Sequence, residues 1–319
     1  MINRRTFVAS AVASLGLAAC ARGGSDRVLR VGSQKGSTKS VVLASGALKG
    51  ADYTVEWSEF AAAQTLLEAV GGGAIDVGVA GDAPFQFAYQ SGSPIRAVGA
   101  QHVGGTGGVL AIVAPGNSPI RTLDDLRGKQ IATGRGSIGH YLILRVLDRA
   151  GWPADAVKIV FLSPSDAASA LAAGSVAAWS TWGPFVPLAQ SHGARIVVEG
   201  QDYTTGLSFD VANTTAIDGK AAILKDYLAR EATALAWSIA HENDYAQVLA
   251  KETGLPPSIA LQTVQRSPRT YTPIDDQLIE GQQTVLETFA RAGDLGSLRP
   301  LSKAFVPDFV PGLVKASAG

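Results

Sequence analysis

Glycine-punctuated alternation of short apolar strands with amphipathic helices runs through the first two thirds of this chain, and it runs through twice. In the first pass, Arg27-Val28-Leu29-Arg30-Val31-Gly32 alternates as a strand. Ser33-Gln34-Lys35-Gly36-Ser37-Thr38 then makes a loop into a helix that closes at Gly50. A strand over 53–59, a helix over 61–70 with Leu66, Leu67 and Val70 on one face, and strands over 75–79 and 95–100 follow. In the second pass, a strand over 109–114 leads to strands over 130–133, 157–162, 176–180 and 195–198. Helices over 137–150, 167–173 and after Pro184 lie between them. Local residues repeat as well: Gly73-Ala74-Ile75-Asp76 runs into Pro84-Phe85 as Gly174-Ser175-Val176-Ala177 runs into Pro184-Phe185.

Strands that alternate with helices imply parallel sheets joined by right-handed crossovers. Two copies imply two lobes, each presenting loops beyond the carboxyl ends of its strands, where ligands of such sheets sit. The pattern therefore predicts an α/β chain of two lobes with parallel-sheet cores around a cleft. Residues 27–106 and 207–319 form the first lobe and 107–206 the second, with crossings near 103–110 and 202–212. From Asp218 the pattern turns helical, over 221–240, 246–253, 257–265 and 275–292, and this part is expected to pack on the first lobe.

The N-terminus reads as targeting rather than fold. Asn3-Arg4-Arg5-Thr6-Phe7-Val8 resembles a twin-arginine export motif, and the apolar run over 8–19 is too short to span a bilayer. Leu17-Ala18-Ala19-Cys20 resembles a lipoprotein cleavage box, so residues 1–19 are expected to be removed and Cys20 to carry a lipid anchor. Cys20 is the sole cysteine, so no disulfide can form within the chain. Loss of residues 1–19 takes Arg4 and Arg5 and no acid, leaving 25 basic against 27 acidic side chains and a net charge of −2. Charged residues are only 17% of the total, and nothing forms the basic stripe that nucleic-acid binding requires.

Two helix starts carry the chemistry. Lys129 to Tyr141 reads as a strand, the loop Gly134-Arg135-Gly136, and a helix that Ser137 can cap. Its first N–H groups and positive dipole end make an anion seat, with Gly36-Ser37-Thr38 as the counterpart in the other lobe. Gln34, Ser37, Thr38 and Ser137 supply neutral donors, with Gly36 and Gly136 allowing close approach. His140, one turn into the second helix, could donate to a bound anion, and the turn Gly81-Asp82-Ala83-Pro84 brings Asp82 and Ala83 to the same edge. Trp182, Phe185 and Phe209 are candidates to hold an apolar tail. Arg135 is the nearest cation and is expected to reach solvent. Metal-ligand spacing, a G-x-S-x-G elbow and a P-loop are absent. Gly134-Arg135-Gly136 begins like a dinucleotide fingerprint, but its third glycine is displaced to 139. No catalytic residue, metal or cofactor is expected.

Several segments together resemble one family. They are Val31-Gly32-Ser33-Gln34-Lys35-Gly36, Val55-Glu56-Trp57-Ser58-Glu59-Phe60, Leu66-Leu67-Glu68-Ala69, Ile75-Asp76-Val77-Gly78-Val79, Gly136-Ser137 with His140-Tyr141-Leu142, Val160 to Ala167, and Gly174 to Trp179 leading to Trp182-Gly183-Pro184-Phe185. In these the chain resembles the periplasmic substrate-binding proteins of ABC importers for aliphatic sulfonates, a group related to those for taurine and nitrate. The resemblance implies a type II periplasmic-binding fold and capture of an organosulfur anion without chemistry. It further implies a monomer in the periplasm or on the outer face of the cell membrane, delivering to a permease and its ATPase. The chain departs from the family at Asp82, where Glu is common, at Thr181, where an aliphatic residue is usual, and over 205–210. Taurine, nitrate, a sulfate ester and a pyrimidine-like molecule are the alternative ligands. For taurine, Asp82, Glu59 and Asp210 are candidate partners of the ammonium. An enzyme resembling thiamine pyrimidine synthases is the alternative of another class, but those share a cysteine-rich motif and this chain has Cys20 alone.

Overall fold

The computed structural model describes residues 27–104 and 109–309; the export motif, the lipoprotein box with Cys20, and part of the first expected crossing lie outside them. The chain opens with β1 (Val28–Gln34), α1 (Thr38–Ser45), β2 (Thr54–Phe60), α2 (Ala63–Gly71), β3 (Val77–Gly81), α3 (Asp82–Gln90) and β4 (Ile95–Val103). It continues with β5 (Leu110–Pro115), β6 (Gln130–Thr133), α4 (Ile138–Arg149), β7 (Lys158–Phe161), α5 (Pro164–Ala172), β8 (Ala178–Trp182), α6 (Phe185–Ser191) and β9 (Ala194–Glu199). The return adds β10 (Leu207–Asn213), α7 (Thr214–Gly219), α8 (Ala221–Ala240), α9 (Glu242–Thr253), α10 (Pro257–Arg266), β11 (Arg269–Thr272) and α11 (Asp276–Arg291).

These strands form two sheets, one in the order β11-β4-β10-β3-β1-β2 and the other β7-β6-β8-β5-β9. The parallel pairing expected from strand–helix alternation holds for β1 with β2 and β3, and for β6 with β7 and β8. The crossing strands depart from it. β10 arrives from the second sheet running the opposite way and inserts antiparallel between β3 and β4. β5 likewise runs antiparallel between β8 and β9. Gly78 on β3 lets α2 settle on the sheet, since a Cβ there would lie 2.8 Å from both the Gly32 carbonyl oxygen and Leu66 Cδ2.

Element ends follow local chemistry. α1 stops at Ser45, short of the expected Leu48, because Gly46 turns left-handed. α5 begins at Pro164 rather than 167, since Ser163 accepts the Asp166 N–H and Pro164 fits the first turn. Within the helical C-terminal part, Arg269 to Thr272 form a strand on the edge of β4, and no strand was expected there.

Apolar clusters fill both faces of both sheets. One holds Leu66, Leu67 and Phe85 beneath the first sheet, and another holds Leu142, Ile143, Val146 and Leu147 of α4 on the second. The C-terminal helices reach beyond the first lobe. Val285 and Phe289 of α11 pack with Ala83 of α3 and with Tyr141 and Leu144 of α4, so α11 touches both lobes.

Candidate functional site

A cavity of about 550 Å³ lies between the lobes. On the first lobe, the β1–α1 loop presents Gln34, Gly36 and Ser37, the β3–α3 turn presents Gly81 and Pro84, and β10 presents Ser208. On the second lobe, α4 presents Ser137 and Ile138, and the β8–α6 turn presents Trp182, Gly183, Pro184 and Phe185. Gln64 of α2 crosses between them, its Nε2 donating to the Arg135 carbonyl at 3.0 Å.

The two helix starts differ in what they leave open. At α4, the Ser137 hydroxyl accepts the His140 N–H at 3.0 Å and lies 3.3 Å from Thr133 Oγ1, while the Gly136 N–H donates to His140 Nδ1 at 3.2 Å. Those donors are engaged within the turn. At α1, Ser37 makes no capping bond with its side chain; its hydroxyl instead accepts from Arg269 Nη1 at 3.4 Å. Arg269, half-buried on β11, lines the cavity, as does Tyr245. The cavity thus has one polar end of guanidinium, hydroxyl and helix start, and an aromatic wall of Trp182 and Phe185, whose rings meet edge to face at 6.4 Å.

Of the residues expected at the site, Gln34, Gly36, Ser37, Ser137 and Trp182 line the cavity. Thr38 is buried and donates to Glu231 Oε1 at 3.3 Å. Gly136 is left-handed and faces the Phe87 ring. His140 is 1% exposed, wedged between Phe161 and Phe289, with Nε2 3.5 Å from Asp294 Oδ2. Burial lowers its imidazole to about 4, so it is neutral at pH 7 and serves the contact between α4 and the segment after α11. Phe209 is 0% exposed and packs edge to face with Phe85 and Phe305, because strand alternation turns it away from its cavity-lining neighbour Ser208. Arg135 is exposed as expected, but it pairs with Asp294 at 2.6 Å and lies over the Phe161 ring.

Asp82 and Ala83 sit behind the β3–α3 turn, both buried. Asp82 accepts the Ala83 N–H at 2.7 Å and the Thr205 hydroxyl at 2.5 Å, tying α3 to the return crossing. Burial raises its carboxyl from 3.8 to about 6. The folded state then holds this proton where the unfolded chain has released it, so stability falls as pH rises from about 4 through 6. Asp82→Asn is expected to melt a few degrees above the wild type at pH 8, with the gap closing below pH 4; thermal melts across that range check it. Asp82, Glu59 and Asp210 are outside the cavity lining, whereas Glu242 is in it.

Arg269 is the residue that sequence reading missed. Arg269-Thr270-Tyr271-Thr272 between Pro268 and Pro273 has the β-branched and aromatic content of a short strand, but it lies between the helical patterns over 257–265 and 275–292, where no strand was expected.

The family described as NMT1/THI5 like matches residues 48–208. A protein of Escherichia coli strain K12 named for aliphatic sulfonates binding is 33% identical over 270 residues, covering 83% of this chain and 84% of that protein. The solved structure of the alkanesulfonate-binding protein SsuA from Xanthomonas axonopodis pv. citri bound to MOPS matches with a TM-score of 0.81 at 30% identity, over 88% of this chain and 98% of that one. The periplasmic aliphatic sulphonate binding protein SsuA from Escherichia coli matches with 0.76 at 29%, over 90% and 94%.

Proposed function

Because the chain belongs to the aliphatic sulfonate-binding proteins of the NMT1/THI5-like family, we propose that it is the extracytoplasmic binding component of an ABC importer and captures an alkanesulfonate between its lobes. The observation that carries this reading is the two-ended cavity. Arg269, Ser37 and the start of α1 form one end, and Trp182 with Phe185 form an apolar wall. A sulfonate is ionised throughout the biological pH range and takes several hydrogen bonds on its three oxygens. Its alkyl chain gains by leaving water. Gln34, Gly36 and Ser137 complete the lining. The ligand leaves unchanged, delivered to a permease and its ATPase, and the lipoprotein box at Cys20 anchors the monomeric protein at the membrane. Lobe closure follows from the duplicated plan, with residues 27–106 and 207–319 moving against 107–206.

Calorimetric titration with alkanesulfonates of increasing length, taurine, nitrate and a pyrimidine tests the reading. Alkanesulfonates should bind, and Trp182→Ala should weaken octanesulfonate by about tenfold while leaving ethanesulfonate within about twofold, since each methylene removed from water contributes about 0.8 kcal/mol. Binding of nitrate or a pyrimidine with no response to any alkanesulfonate would overturn it. A strong preference for taurine over ethanesulfonate, lost in Glu242→Gln, would assign the taurine alternative instead.

A further inference from the structure

Asp210 on β10 and Glu231 on α8 are both 0% exposed and neither lines the cavity. The Gln101 amide on β4 joins them, its Nε2 lying 3.3 Å from both Asp210 oxygens and 3.0 Å from Glu231 Oε1. Thr38 of α1 donates to that same Glu231 oxygen. Gly99 leaves the space that the Asp210 carboxylate and the Tyr271 ring occupy, and an added Cβ would collide with Asp210 Oδ2. Tyr227 and Tyr271 are the other titratable groups against the pair, both held neutral by burial. Arg269, which lines the cavity, stands two residues from Tyr271 on β11, so strand alternation puts it on the sheet face where the Tyr271 ring meets Asp210, and its charge opposes the upward push on both carboxyls.

We propose that the buried Asp210–Glu231 pair beside Arg269 sets the charge of the cleft, so that it admits singly charged oxyanions and excludes doubly charged ones. The inference rests on the sulfonate reading and deepens it. Two carboxylates shut off from water cannot both remain ionised: burial pushes both carboxyls up, and the Asp210 charge pushes Glu231 up further. Arg269 opposes this and keeps one of them ionised, leaving a unit with one proton and one negative charge. That charge balances the guanidinium. The anion end of the cavity is then rich in oriented donors but has little net positive charge beyond the helix start.

Such a site distinguishes anions by their charge. The cost of stripping water from an ion grows as the square of its charge, whereas attraction to fixed donors grows only in proportion to it. A monoanion therefore exchanges its hydration for Arg269, Ser37 and the α1 start at little loss. A dianion loses about four times the hydration for about twice the attraction, and the carboxylate charge behind the cavity wall repels its second charge. In a sulfonate the alkyl group occupies the position of the second charged oxygen of sulfate, so the same geometry that favours the tail disfavours sulfate.

Titration of the full chain with ethanesulfonate and sulfate tests the assignment. The wild type should prefer ethanesulfonate by at least about 100-fold. Asp210→Asn or Glu231→Gln alone leaves one carboxylate and the same single charge, so the preference should stay within about threefold of the wild type. The double variant removes the charge, and sulfate should gain on ethanesulfonate by about tenfold or more. An unchanged ratio in the folded double variant overturns the proposal, as does a wild type that binds sulfate equally well. Should the double variant not fold, methyl phosphate decides on the wild type, because its second ionisation falls at about pH 6. Relative to ethanesulfonate at the same pH, its affinity should fall about tenfold or more between about pH 5 and 8, and a constant ratio overturns the proposal. Absence of ethanesulfonate binding would overturn the sulfonate reading together with this one; ethanesulfonate binding without the ratio change overturns this one alone.

Discussion

Arg269→Ala should weaken every alkanesulfonate by about 100-fold, irrespective of tail length, because it removes a half-buried charge-assisted donor at the fixed end of the cavity. Hydrogen bonds to charged groups contribute about 1.5–3 kcal/mol, and tenfold in affinity is about 1.4 kcal/mol, which sets the scale. Arg269→Lys should recover only part of the loss, since an ammonium restores the charge without the fork that can serve Ser37 and a sulfonate together. Folding should survive, as the Asp210–Glu231 pair can take up a second proton when its cation is removed. Calorimetry on short and long alkanesulfonates checks the uniformity of the effect. A loss confined to long tails would place the anion elsewhere in the cavity.

Phe209→Ala should cost about 3–5 kcal/mol of folding stability, the range for deleting a fully buried aromatic side chain. Its ring centroid lies 5.3 Å from Phe85 and 5.4 Å from Phe305, and all three rings are buried with Tyr89 in one cluster. Truncation would leave a void bounded by the flat Phe85 and Phe305 rings, which cannot collapse readily onto one another. The preference for octanesulfonate over ethanesulfonate should be unaffected in the folded fraction, the reverse of Trp182→Ala. Denaturant unfolding gives the first quantity and the ratio of two affinities the second. A shifted tail preference would mean that the Phe209 ring reaches the ligand.

The contrast between these two aromatics shows what residue type conveys without spatial context. Trp182 ends β8 at the cavity, as its position in a strand-to-helix turn suggested. Phe209 is on a strand whose neighbours Ser208 and Asp210 are polar, and period-two alternation places it on the opposite face from them. The expectation that it holds a tail weighed its chemistry above its register. The parallel cores were legible because apolar periodicity and glycine punctuation are local signals, and β1, β2, β3 and β6 lie within two residues of where the pattern puts them. β11 was not legible, because its pairing with Gln101 and Val103 is a contact across more than 160 positions of sequence that no local window contains. The same limit hid Arg269, and with it the carboxylate pair, whose members come from β10 and α8. At the helix starts, sequence could place donors at both Gly36-Ser37 and Gly136-Ser137. It could not show that His140 folds back to take the Gly136 N–H.

β10 occupies the place between β3 and β4, yet the chain reaches it only after all five strands of the other sheet have been made. Residues 27–104 therefore emerge first with β3 and β4 lacking the strand that joins them, and they cannot settle before residue 213 is in place. The sheet built from 110–199 is continuous in sequence and closes over much shorter loops. The lobe that begins the chain is thus completed only by a segment that follows the whole of the other sheet. Through that interval the apolar edges of β3 and β4 stand open, and a partly made chain is most vulnerable to pairing with its own kind there.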